Sequence, residues 1–126
     1  MFYTRMNCSR LDQLIAACSS DEATAEIFAS DALQDHAEFC NSFSRRIAHE
    51  YYADRLSFMA ANRAMNRLHT YSYVTQDLGM PDYSWEVYLA FDAGEYRHSE
   101  DADDVSSEGK YTRPAIQAIV ARDVVG

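Results

Sequence analysis

Residues 33–75 read LQDHAEFCNSFSRRIAHEYYADRLSFMAANRAMNRLHTYSYVT and contain neither glycine nor proline. Apolar side chains recur at helical spacing in both halves of this stretch, which predicts amphipathic helices. The first set is Leu33, Ala37, Cys40, Phe43, Ile47 and Tyr51, and the second is Leu56, Met59, Ala60, Ala64, Leu68 and Tyr71. One continuous helix would be about 65 Å long, whereas a domain of this size has a radius of gyration of about 14 Å. We therefore expect a break at 51–54, with Asp54 capping the second helix.

The flanking segments carry further helical signals. Ser9 is a candidate N-cap, and residues 19–22, SSDE, have the spacing of a capping box that would open a short helix. The helix after Ser9 has an apolar stripe of Leu11, Leu14, Ile15 and Cys18. Near the other end of the chain, Pro114 suits the first turn of a last helix. The predicted buried face of that helix is Ile116, Ile119, Val120 and Val124.

Residues 84–91, SWEVYLAF, fit two structures. Their apolar residues alternate with more polar ones, which is typical of a strand that would pair with residues 71–75. A helix capped by Asp82 and ending near Gly94 fits as well, and we favour it. The sequence therefore predicts a mainly α protein, a compact bundle of about five helices. The alternative is an α+β fold with a small hairpin involving 71–75 and 84–91.

Glycine and proline divide the chain into two parts. All 4 glycines and both prolines lie at residue 79 or later, and 126 residues are the length of one ordinary domain. Residues 1–77 carry 7 basic and 10 acidic groups, whereas residues 78–126 carry 4 and 10. We expect a single domain over 1–126, with a helical scaffold at 1–78 and an acidic, tyrosine-rich segment plus a C-terminal helix at 79–126.

Charge and cysteine usage exclude several classes of function. The net charge of −9 and the pI near 4.7 argue against binding to nucleic acid or to an anionic membrane, because phosphates would be repelled. Cys8, Cys18 and Cys40 are odd in number and lack CxxC spacing, which favours reduced thiols in the cytoplasm. The chain has no glycine-rich phosphate loop, nucleophile elbow or HExxH motif. We therefore expect no cofactor, and an enzyme is the less favoured class.

The acidic segment suggests a protein-binding surface. Residues 82–108 hold nine acidic side chains against Arg97, and tyrosines are interleaved with them. Aromatic anchors within a charged rim suit recognition of a basic protein. The predicted contact residues are Tyr83, Glu86, Tyr88, Asp92, Glu95, Tyr96, Asp101, Asp103 and Asp104. The resulting hypothesis is a small cytoplasmic monomer or homodimer that binds a basic protein partner, as an antagonist or immunity-type inhibitor of a basic toxin or nuclease would.

A stripe of basic side chains precedes the acidic segment. Arg55, Arg63 and Arg67 recur at multiples of four, and Asn66 lies on an adjoining row. Like charges at this spacing repel one another unless acidic groups lie between them. We therefore expect these four residues to form a polar seam against Asp92, Glu95 or Glu86 of the acidic segment, or to line the floor of a small pocket.

Two clusters also allow a chemical interpretation. Glu95 and His98 have the E-x-x-H spacing of a helical metal site, and with Asp92 they could serve a small helical-bundle enzyme or metal-binding protein. This is the alternative to the binding hypothesis. His36 and Cys40 are four residues apart on one helix, but Cys40 lies on an apolar stripe, which favours a core cysteine. Residues 99–110 are acidic and poor in apolar groups, so we expect an exposed loop there.

Overall fold

The computed structural model describes residues 8–18 and 35–125, and within them the chain forms a helical bundle. Its helices are α1 (Cys8–Cys18), α2 (His36–Tyr52), α3 (Phe58–Thr70), α4 (Asp82–Ala93) and α5 (Arg113–Val125). A π-helical turn, Tyr71–Thr75, continues α3, and a second one, Glu108–Thr112, leads into α5. No strand occurs in these residues. The mainly α prediction is confirmed, and the hairpin alternative is wrong because both of its segments are helical.

The predicted break between the two central helices is confirmed, but its predicted cap is wrong. The chain leaves α2 after Tyr52 and enters α3 at Phe58. Asp54 has a φ of 64°, a left-handed conformation that helps to turn the chain. Ser57 is the N-cap of α3, and its hydroxyl accepts a hydrogen bond from the backbone N–H of Ala60 at 3.1 Å. A serine in this role satisfies an N–H that has no partner within the helix.

Helix α4 forms because its buried side chains follow a helical period. Ser84, Val87, Ala90 and Phe91 are buried, whereas two apolar members of the strand-like alternation, Trp85 and Leu89, remain partly exposed. Pro81 occupies the N-cap position. The prediction that Asp82 caps the helix is therefore wrong, since Asp82 lies in the first turn, where its charge favours the helix dipole. Gly94 is the C-cap, as expected for the end of the helix.

The core lies where α2 packs against α3, α4 and α5. Most predicted core positions are buried, including Cys40, Phe43, Ile47, Tyr51, Ala64, Leu68, Tyr71, Ile116 and Ile119. Three predictions are wrong: Ala37 is exposed, and Met59 and Val124 are 69% and 77% exposed. Ser9 lies inside α1 rather than before it. Leu33 and the capping box at 19–22 fall outside the described residues.

No helix in the described part of the chain is long and apolar enough to cross a membrane. The longest of them, α2, has 17 residues and carries charged side chains at several positions.

Candidate functional site

The structure distributes the nine predicted contact residues over three places. Tyr83 and Glu86 contact α5, and Tyr83 also contacts Arg45 of α2. Tyr96, Asp101, Asp103 and Asp104 belong to the connection between α4 and α5. Tyr88, Asp92 and Glu95 lie beside α3. The predicted contact residues are therefore divided among three groups, and their role in binding a partner stays a prediction.

Tyr83 belongs to a partly buried polar network between α2, α4 and α5. Its hydroxyl donates a hydrogen bond of 2.5 Å to the carboxylate of Asp123, which also lies 2.8 Å from Nε2 of His49. The guanidinium of Arg45 lies over the Tyr83 ring at 4.7 Å. Burial disfavours the charge on Asp123, but the hydrogen bonds from Tyr83 and His49 outweigh it, so the pKa of Asp123 lies below its ordinary value. Tyr83 therefore joins α4 to α2 and α5.

The connection between α4 and α5 is held by contacts within itself. Asp101 is buried, accepts a 2.7 Å hydrogen bond from the hydroxyl of Tyr111 and pairs with Nζ of Lys110. The hydrogen bond from Lys110, followed by the one from Tyr111, holds the pKa of Asp101 below its ordinary value. Asp101 is thus held within the connection, and the expectation that the whole of 99–110 is exposed is wrong at this position. Asp103 fits that description, since it is exposed and forms a surface ion pair with Arg97 at 3.2 Å.

The third place is a cluster of rings and carboxyl groups that we call the aromatic–acid face. Its residues are His69, Tyr73, Trp85, Tyr88, Asp92 and Glu95. Residues 85, 88 and 92 share one side of α4, because positions three, four and seven apart lie above one another on a helix. His69 lies in the last turn of α3, and Tyr73 follows it one turn later in the π-helical turn. The face therefore forms where the last turns of α3 run beside α4.

The rings of this face are in direct contact. The ring centroids of His69 and Tyr88 are 4.4 Å apart with an interplanar angle of 16°, and those of Trp85 and Tyr88 are 5.3 Å apart at 24°. Tyr73 meets Trp85 edge-on at 6.1 Å. These rings are not sealed inside the core, because Trp85 is 37% exposed and Tyr73 42% exposed. Trp85 and Tyr73 thus present part of the face to solvent.

The carboxyl groups beside the rings influence each other. Burial raises the pKa of Asp92, and a hydrogen bond with Glu95 and the negative charge of Glu95 raise it further. Burial, followed by the charges of Asp92 and Glu95, also raises the pKa of Tyr88. Glu95 in turn accepts a 3.3 Å hydrogen bond from the side-chain amide of Asn66 on α3. The pair is therefore tied to the rings by charge and to α3 by a hydrogen bond.

The residues of the predicted polar seam do not share one environment. Asn66 reaches the acidic segment through Glu95. Arg55 lies before α3 and pairs with Glu50 at 2.8 Å, so its predicted place in the seam is wrong. Arg63 and Arg67 line a pocket of about 360 Å³ on α3, together with Phe58, Met59, Asn62, Asn66 and Thr70. Three of the four predicted residues thus line a common pocket.

The helical E-x-x-H prediction is wrong. Helix α4 ends at Ala93, so Glu95 and His98 do not share a helix face. Glu95 contacts Asn66, whereas Nε2 of His98 lies 2.8 Å from the carbonyl oxygen of Ala93. Within residues 8–18 and 35–125, no group of three or more His, Cys, Asp or Glu side chains is arranged to hold a metal ion.

His36 and Cys40 touch, but their geometry does not activate the thiol. Nε2 of His36 lies 2.9 Å from the carbonyl oxygen of Gly79 and 3.4 Å from Sγ of Cys40. A carbonyl oxygen only accepts hydrogen bonds, so Nε2 carries the proton and is unable to take one from the thiol. Burial raises the pKa of Cys40 to about 11. Cys40 is therefore a protonated core cysteine, as predicted.

His69 and Tyr73 were not among the predicted site residues. Their spacing of four residues was visible, but only the packing of α3 on α4 brings them to Trp85 and Tyr88. Comparison with protein-family models, curated proteins and solved structures finds no match for this chain. The case for a function therefore rests on the chemistry of the aromatic–acid face.

Proposed function

We propose that the protein works by binding a basic protein partner and that the aromatic–acid face is the contact surface. The observation that carries the proposal is the position of partly exposed, mutually stacked rings beside a carboxyl pair. Exposed tyrosine and tryptophan side chains offer a large apolar area with a polar tip, which suits protein interfaces. Carboxyl groups next to them favour a cationic partner.

The charge of the whole chain supports the same class of partner. A net charge of −9 attracts a basic protein over a distance and speeds its association. We propose an antagonist or immunity-type inhibitor of a basic toxin or nuclease, in which the acidic surface masks a cationic active site. We also propose a cytoplasmic location, where the thiols of Cys18 and Cys40 would stay reduced, and a monomer or homodimer as the acting form.

Matched variants test this proposal. We would immobilise the wild-type protein, the double variant Asp92→Asn/Glu95→Gln and the double variant Asp103→Asn/Asp104→Asn, and expose each to extract of the source cell. Both variants remove two negative charges, but only the first alters the aromatic–acid face. We expect a basic protein to be retained by the wild type and the second variant, to be lost from the first, and to elute at high salt. Equal retention by all three proteins, or no retained basic protein at low salt, would refute the proposal.

A further inference from the structure

We infer that the aromatic–acid face accommodates an arginine side chain of its partner. The guanidinium would bridge the carboxyl groups of Asp92 and Glu95, and its plane would lie against the rings of Trp85 and Tyr88. This inference rests on the proposed function, because it names the chemical group that the same surface recognises. Three features of the face support it: the carboxyl pair, the orientation of the rings and the hydrogen bond from Asn66.

The carboxyl pair suits a donor with several N–H groups. The backbone N–H of Glu95 donates a 3.1 Å hydrogen bond to the carbonyl oxygen of Asp92, which keeps the two acidic residues within one turn of each other. A guanidinium carries five N–H donors in a rigid fork and is able to donate to both carboxylates at once. Asn66 donates to Oε1 of Glu95 from α3, which restricts the directions in which Glu95 can turn. The two acceptors are thus held close together before a ligand arrives.

The rings suit a planar cation. Trp85, Tyr88 and His69 have interplanar angles of 16° to 29° with one another, so their planes run in nearly the same direction. A guanidinium is flat, weakly hydrated and stacks on such rings, whereas an ammonium is a compact and strongly hydrated charge. Leu89, also partly exposed, lies one turn after Trp85 and adds apolar area for the methylene groups of an arginine. The rings therefore favour arginine over lysine.

The test uses peptides of defined charge. The probes are a capped peptide of alternating glycine and arginine with three arginines, the same peptide with lysine, and the same peptide with citrulline, which is neutral. Trp85 is the only tryptophan of the chain, so its emission reports directly on this face. We expect the arginine peptide to bind about fivefold more tightly than the lysine peptide. The citrulline peptide should bind more weakly than both.

Variants separate local recognition from general charge attraction. Asp92→Asn/Glu95→Gln should weaken binding of the arginine peptide about tenfold or more, whereas Asp103→Asn/Asp104→Asn, with the same change in net charge, should leave it within about twofold. Circular dichroism of each variant checks that the helices are intact.

The outcomes distinguish the two proposals. Equal affinity for the arginine and lysine peptides, with both affinities weakened by Asp92→Asn/Glu95→Gln (the face variant), would overturn the arginine inference and leave the proposed function standing. If the face variant and Asp103→Asn/Asp104→Asn lose affinity for the arginine peptide to the same extent, the inference and the proposed function are both overturned. A preference for arginine that disappears only in the face variant supports both.

Discussion

Gly94 ends α4 and packs directly against the turn that precedes α5, so a single methyl group at this position should disturb the fold. A Cβ atom built on Gly94 would lie 2.1 Å from Oγ1 of Thr112 and 3.2 Å from the Cα atom of Glu108. Thr112 is fully buried, and its hydroxyl donates a 2.7 Å hydrogen bond to the carbonyl oxygen of Ala90. Gly94→Ala therefore requires either the turn or the threonine side chain to move by more than an ångström, since ordinary contacts of this kind exceed about 3.4 Å.

Both ways of making room for the methyl group are costly. If the turn moves, the cost is that of overpacking a core, about 1–3 kcal/mol. If Thr112 rotates, its hydroxyl and the Ala90 carbonyl lose their partner while buried, which costs about 1–3 kcal/mol. We therefore expect Gly94→Ala to lower the free energy of unfolding by about 2 kcal/mol.

Urea unfolding, followed by circular dichroism and by the emission of Trp85, measures this change. Gly109→Ala is the matched control, because a Cβ atom there would meet its nearest neighbour, Oγ of Ser106, at 3.5 Å. The control should change the stability by less than about 0.5 kcal/mol. In a Thr112→Ala background the clashing oxygen is absent, so Gly94→Ala should cost less there than in the wild type. If Gly94→Ala and Gly109→Ala have equal effects, the packing that we describe is wrong.

Two further predictions concern a partly buried carboxylate and two buried thiols. Because hydrogen bonds lower the pKa of Asp123 in the folded state, its contribution to stability is present above the ordinary aspartate pKa of about 4 and is lost as the pH falls through the lower folded-state value. The stability difference between the wild type and Asp123→Asn, measured by urea unfolding, should therefore shrink below about pH 4. A difference that grows on acidification would show that the ionised, hydrogen-bonded carboxylate is not its source. Burial raises the pKa of Cys40 to about 11 and that of Cys18 to about 12. The variant Cys8→Ser leaves these two as the only thiols. Both should react with a disulfide reagent at pH 8 on the order of 100-fold more slowly in the folded protein than in urea. Fast reaction without denaturant would show that one of them is accessible.

The helices could be predicted because their signals are local. The apolar period of α2 and the length limit of a small domain placed the break after Tyr51, within a few residues of its position. The cap was misassigned because Asp54 and Ser57 are both good capping residues, and only the left-handed conformation of Asp54 excludes it from that role. The strand-like alternation around Trp85 was ambiguous. The same order of apolar and polar residues arises when Trp85 is buried on a strand and when it is partly exposed on a helix.

The candidate site was harder to predict because it depends on contacts between distant residues. Tyr83 and Asp123 are 40 residues apart, and only their hydrogen bond shows that Tyr83 connects two helices of the bundle. Composition alone does not distinguish Asp101, which is buried against Lys110, from Asp103, which is exposed. Tyr88 belongs to the aromatic–acid face because the His69 ring of α3 stacks on it. The residue types of an interface were visible in the sequence, but their grouping was not.

The most direct test of the central claim is a ¹H–¹⁵N NMR titration of the protein with the glycine–arginine peptide. We predict that the largest shifts occur at the indole N–H of Trp85 and at the backbone amides of residues 66–73 and 85–95, which form or adjoin the aromatic–acid face. If the largest shifts instead occur in residues 99–110, or are spread evenly over the acidic surface, the aromatic–acid face is not the binding surface.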